Sequence, residues 1–228
     1  MNTLFALILA FTGAATAVRQ PVTPAAVSTQ DLNTLIDGVD KTFGSMKDFK
    51  ATFIQISANS VNQSQQDEGL LYLTRDKKMR VNYEKPEKKE WVSNGKTLYT
   101  YVPANRQVTQ DPVKDAMVEQ MPIMFLLGRS GLRNEFQKVE EFTGVKPLFD
   151  GDRVLRLTPN RKNQDIERID IEVNPRTFLI DRMAIRYSDK STTEFVFMKI
   201  EINSKIPNST FEFTPPPGVR VVKGAGSQ

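Results

Sequence analysis

The sequence predicts a mainly β (α+β) fold, one large antiparallel sheet with helices against one face. Three observations predict it. β-prone runs follow one another through short turns from Phe49 to Ile202, which disfavours parallel crossover units. A single amphipathic helix precedes them, and a proline-broken apolar segment divides them into two groups. At 228 residues, 39% hydrophobic and 25% charged, the chain suits one domain with a real core.

The elements follow in order. Leu4–Phe11 is an apolar run too short for a membrane span, which needs roughly 20 residues. Ala15 and Ala17 after it fit a signal-peptidase site, although no Lys or Arg precedes the run. Residues 1–17 are therefore expected to be a signal peptide and 18–28 an extended leader, with Pro21 and Pro24. One domain is expected over 29–222 and a flexible tail over 223–228. Ser28 with Asp31 resembles a capping box. Leu32, Leu35, Ile36, Val39 and Phe43 then repeat at helical spacing over about four turns, and Gly44 offers a stop.

Strands are expected at Phe49–Ser57 and at Gly69–Thr74, with a polar Gln/Ser loop between them that carries no packing signal. Met79, Val81 and Tyr83 alternate with Arg80 and Asn82. Asn94-Gly95 between β-prone arms favours a type I′ hairpin. Asp111-Pro112 reads as an N-cap and N1 proline opening a second helix, which Pro122 breaks. Further strands are expected at Val154–Thr158, Ile166–Val173, Phe178–Tyr187 and Thr192–Ile202, with a turn at Asn174-Pro175-Arg176-Thr177. Ile169, Ile171 and Val173 alternate with Asp170 and Glu172, the pattern of a sheet with one wet face.

Composition narrows the chemistry. No cysteine means no disulfide, no thiolate and no cysteine-linked lipid anchor. No histidine removes the usual zinc ligands, the Ser-His-Asp arrangement and the commonest general base. Nucleotide-loop, nucleophile-elbow and dinucleotide fingerprints are missing, and Gly95-Lys96-Thr97 is better explained by its hairpin. No metal or cofactor is expected. Glu84, Glu87, Glu90, Asp170 and Glu172 occupy turn or polar-face positions and read as solvated charge. The net charge of +4 is modest and spread out, unlike a nucleic-acid binder's. Arg75–Lys89 holds seven Lys or Arg against three acids, which reads equally as an anionic-headgroup contact or a solvated surface.

Around Pro122 crowd Met117, Met121, Ile123, Met124, Phe125, Leu126 and Leu127. Flexible methionines suit a surface that repacks around variable cargo. On composition alone, a helix sealing a core is the plainer reading.

Several stretches share an order and spacing with one family. They are Phe53-Ile54-Gln55, Gly69–Arg75, Val81–Pro86, Val92–Tyr101, Pro122–Leu127 and Phe211–Val219. With these, nearly all of the mature chain resembles the periplasmic outer-membrane lipoprotein carrier (LolA) family. The resemblance implies an incomplete antiparallel β-barrel, a strongly curved sheet with an apolar cavity covered by helices. It implies a non-catalytic, monomeric periplasmic carrier with acylated lipoproteins as cargo. An inner-membrane ABC-type lipoprotein exporter would be the donor, and an outer-membrane receptor or the membrane itself the acceptor. Arg75 matches a family arginine that holds the helical lid closed, expected here to bond lid carbonyls around Met121–Met124. Leu71, Leu73, Trp91, Leu98, Met117 and the 121–127 segment are the expected cargo and lid residues. The family often has proline after this arginine, where Asp76 stands here. A phospholipid or glycolipid carrier and a lipid-sensing interaction protein remain alternatives. A hydrolase with a buried carboxylate pair is a third.

Overall fold

The computed structural model describes residues 31–61, 63–113, 131–160 and 165–224. The expected signal peptide, the leader and Ser28 lie outside them. Helix α1 (Leu32–Ser45) starts at Asp31, whose carboxylate accepts the Asn33 N–H at 3.2 Å. Aspartate is itself a strong N-cap, so no earlier cap is needed. Leu35, Ile36, Val39 and Phe43 form its buried stripe. Gly44 does not end the helix, which runs on to Ser45. The informative glycine is Gly38: a Cβ there would lie 2.2 Å from the Phe178 ring, so its absence lets α1 approach that turn.

Two groups of strands follow. The first comprises β1 (Asp48–Ala58), β2 (Ser64–Thr74), β3 (Lys78–Lys85), β4 (Lys89–Asn94), β5 (Thr97–Val102) and β6 (Gln107–Pro112). After a short helix α2 (Leu132–Glu135) come β7 (Phe136–Glu141), β8 (Arg153–Pro159), β9 (Ile166–Val173), β10 (Ile180–Tyr187) and β11 (Thr192–Ile202). β12 (Arg220–Lys223) ends the fold. They form one sheet of 12 strands in the order β12-β6-β5-β4-β3-β2-β1-β11-β10-β9-β8-β7. No ladder joins β7 to β12 among the described residues, so the sheet is curved but unclosed. Bulges in the β1–β11, β2–β3, β9–β10 and β7–β8 ladders help it bend.

Register assigns the faces. Phe49, Leu73 and Met79 lie in one row across β1, β2 and β3, and Ala51, Leu71, Val81 and Trp91 in the next. In the other half Met183 stands opposite both Phe195 and Ile171, and Leu155 opposite Ile171. These inner-face residues join the α1 stripe in one buried cluster. Phe49 meets Phe197 edge-on at 5.8 Å and Phe53 meets Tyr83 edge-on at 5.4 Å.

Along the strands from β2 to β10, four expectations change. The polar stretch before Gly69 is the first half of β2, paired residue for residue with β1 from Ala58↔Ser64 onward. Asp111 and Pro112 are strand residues opposite Leu98 and Thr97, not the start of a helix. Pro112 lies beyond the last β12 pair at Gln110, so its missing N–H costs no bond to β12. The β4–β5 turn is not type I′, because only Gly95 has positive φ (88°). The Asn94 carboxamide closes it instead, accepting the Lys96 and Thr97 N–H groups at 3.0 and 2.9 Å. β10 begins at Ile180, since Phe178 takes φ 58° to finish the turn at Asn174.

The carboxy-terminal segment crosses the outer face. Phe211 is buried there, and Phe213 packs on Tyr99 and Tyr101 with ring centroids 5.3 and 5.9 Å apart. β12 then pairs in parallel with β6, a parallel ladder in a sheet expected to be antiparallel throughout. It runs one residue past the expected boundary at 222, and the Gly224 N–H still donates to Gln110 O at 3.0 Å.

Candidate functional site

The site grows from the inner face of β2 to β5 and the end of α1 that lies over it. Leu71 and Leu73 are fully buried on that face, and Trp91 and Leu98 are half-buried against the same cluster. Register puts all four on one side, because Leu71 aligns with Val81 and Trp91 while Leu73 aligns with Met79, Ser93 and Leu98.

Farther along the strands the face turns polar while keeping its aromatic rings. Tyr83 lies 5.6 Å from Trp91, its hydroxyl donates to Gln55 Oε1 at 2.9 Å, and Lys89 Nζ sits 4.1 Å from its ring centroid. Lys89 also pairs with buried Asp67 at 2.9 Å. Burial, and secondarily the Asp67 charge, push the Tyr83 phenol well above its ordinary range, so it stays a neutral donor. Sequence reasoning met Gln55 only as part of a family motif, without a role, and passed over Asp67; a polar residue on an otherwise inward strand position carries no apolar period to reveal it.

Arg75 follows β2 directly. Its Nε donates to the Met46 carbonyl and its Nη2 to the Phe43 carbonyl. Those groups belong to the last turn of α1 and its C-cap, where helix carbonyls lack intrahelical partners and a cation complements the dipole. The observed partners of Arg75 are thus the end of the first helix. The expected ones, at 121–124, lie outside the described residues with Met117 and the rest of the 121–127 segment. The chain re-enters the described structure at α2, which docks on α1: Leu132 N–H donates to Asp40 Oδ1 at 2.6 Å. Arg133 pairs with Asp37 and donates to Asn33 Oδ1 at 3.1 Å.

The basic run is largely neutralised in place. Lys78 pairs with Asp76, Arg80 with Glu90 and Lys85 with Glu68, at 2.6, 2.6 and 3.2 Å. Of the five carboxylates read as solvated, Glu84 and Glu87 are exposed, Glu90 pairs with Arg80, and Asp170 binds Arg156 at 2.7 and 2.9 Å. Glu172 departs from that reading: it is fully buried on the outer face, covered by residues around Phe149.

The profile of the family described as "Outer membrane lipoprotein carrier protein LolA" matches residues 44–214. The chain belongs to that family. The LolA match takes in the Arg75 anchor, both strand groups and the Phe211–Phe213 segment. The outer-membrane lipoprotein carrier protein of Cupriavidus pinatubonensis is 28% identical over 203 residues, 88% of this chain and 90% of the relative. That of Ralstonia nicotianae is 33% identical over 141 residues, 62% of each. The crystal structure of an uncharacterized conserved protein from Thermus thermophilus shares the fold, with a TM-score of 0.52 at 14% identity. That likeness covers 86% of this chain and 100% of the other.

Proposed function

We propose that this protein is a periplasmic, non-catalytic carrier that takes the acyl chains of lipoproteins from an inner-membrane ABC-type exporter and delivers them toward the outer membrane. The observation that carries the reading is an unclosed sheet whose apolar inner face is covered by a helix held through Arg75. An acyl methylene moved out of water is worth about 0.8 kcal/mol, so a chain of about fifteen is worth about 12 kcal/mol. Unassisted crossing of an aqueous compartment is therefore very slow, and a carrier must offer comparable apolar surface. It must also let go. A cover fastened by hydrogen bonds to backbone carbonyls can be exchanged for cargo more readily than a sealed core.

Residues 1–17 act in this reading as the export signal, and the mature protein works as a monomer. Leu71, Leu73, Trp91 and Leu98 supply the sheet wall, and Met117 with residues 121–127 supply the adaptable cover. Native mass spectrometry of the protein isolated gently from its own periplasm tests this directly. Acylated lipoproteins bound one to one are expected. Phospholipid or glycolipid alone would move the function to lipid transport, and a protein empty of any amphiphile would count against cargo transport.

A further inference from the structure

Away from the inner face, three carboxyl groups meet beneath the connection between β7 and β8. Glu172, fully buried on the outer face of β9, stands in register with Val154 of β8 and Arg182 of β10. Its Oε1 accepts the Phe149 N–H at 2.6 Å and so ties the 142–152 loop to the sheet. Its Oε2 receives no hydrogen bond from the described residues. Arg182 Nη1 stands 3.8 Å off, while the rest of that guanidinium is committed to Glu194 of β11 through two bonds of 2.7 Å.

Asp152 closes the loop. It is 6% exposed, and neither carboxyl oxygen receives a hydrogen bond from the described residues. It faces the carboxyls of Asp181 and Glu172 and the Asn174 side chain. Two ionised carboxylates offer each other only acceptors, so the Asp152–Asp181 contact becomes a bond only when one of them carries a proton. Among the described charges around it, Arg153 at the start of β8 binds Glu141 at 2.7 and 2.6 Å. Lys146 and Asp150 are exposed and face each other at 3.8 Å, and Arg176 is exposed in the turn before β10.

We propose that a proton shared by Asp152 and Asp181 latches the 142–152 loop to the outer face, and that its loss on alkalinisation releases the loop. Burial foremost, then the Asp181 carboxyl and the Glu172 charge, lift the Asp152 carboxyl to about 7. Burial raises Asp181 as well. The sign follows from linkage: the folded state holds this proton more tightly than the unfolded chain, so stability is highest at acid pH and declines as pH rises through about 7. The loop displays Val145 and Leu148, 45% and 58% exposed, so the latch sets the position of an apolar tip.

Hydrogen exchange of the Phe149 amide in the full chain reads the latch. With intrinsic exchange rates corrected, protection is expected to fall about tenfold between about pH 6 and about pH 8.5. Asp152→Asn, whose carboxamide donates to Asp181 at any pH, should keep its protection across that range. A flat wild-type profile, or an equal decline in the variant, overturns the proposal. Should the variant fail to fold, the wild-type carboxyl resonance of Asp152 decides: a midpoint near neutrality supports the latch, and one in the ordinary carboxylate range overturns it. Restoration of wild-type protection at high pH by calcium ions alone would make the cluster a cation site and also overturn it.

Discussion

The two faces of the sheet use the same side chain differently. On the inner side, Arg75 holds the end of α1 through two backbone carbonyls. On the outer side, Arg156 and Arg182 grip the carboxylates Asp170 and Glu194, each through two bonds. Guanidinium–carboxylate forks are among the strongest polar contacts, and losing one partner strands a charge of opposite sign. Guanidinium–carbonyl bonds leave only neutral acceptors behind when they break. The outer face is thus built to stay closed, and the α1 anchor can open without an unpaired anion.

The largest effect should come from the inner face as packing. Leu71→Ala, at a fully buried site, is expected to cost about 2–5 kcal/mol in denaturant unfolding. A loss well under 1 kcal/mol would mean that this face already accommodates a void, and would blur the distinction between wall and cover. Next comes the outer face. Arg182→Ala leaves Glu194 unpaired and removes the cation nearest buried Glu172, at an expected cost of about 1–3 kcal/mol. The smallest stability change, about 1 kcal/mol, is expected for Arg75→Lys, because one ammonium cannot span two carbonyls as a planar fork does. Its consequence should be functional: cargo release and transfer to the acceptor membrane should change while the circular dichroism spectrum does not. Unchanged release would remove Arg75 from the handover mechanism.

Much of this arrangement was legible in the residues. Met79, Val81 and Tyr83 alternate because one face of β3 is buried, and the α1 stripe shows at helical spacing for the same reason. The first half of β2 was hidden because Gln65 and Asp67 hydrogen-bond each other there and Lys89 pairs with Asp67, so partners replace an apolar period. Asp111-Pro112 carries a local helix-start signal that pairing with β5 overrides. Glu172 has the alternation of a wet strand, and only the fold of the distant 142–152 loop reveals that it is covered. The importance of Arg75 came through family resemblance. Its observed partners, Phe43 and Met46, are set by tertiary contact across about thirty residues of sequence, beyond what periodicity reports.

The central claim is that cargo lies on the inner face, and neighbouring strand residues point to opposite faces. Photo-crosslinking from a benzoylphenylalanine placed at Trp91, on the inner face, or at Glu90, beside it on the outer face, tests that claim most directly in the living periplasm. Crosslinks to acylated lipoproteins from position 91 and none from position 90 are the expected result. Equal labelling from both positions, or labelling from 90 alone, would contradict a carrier that shelters its cargo against the inner face.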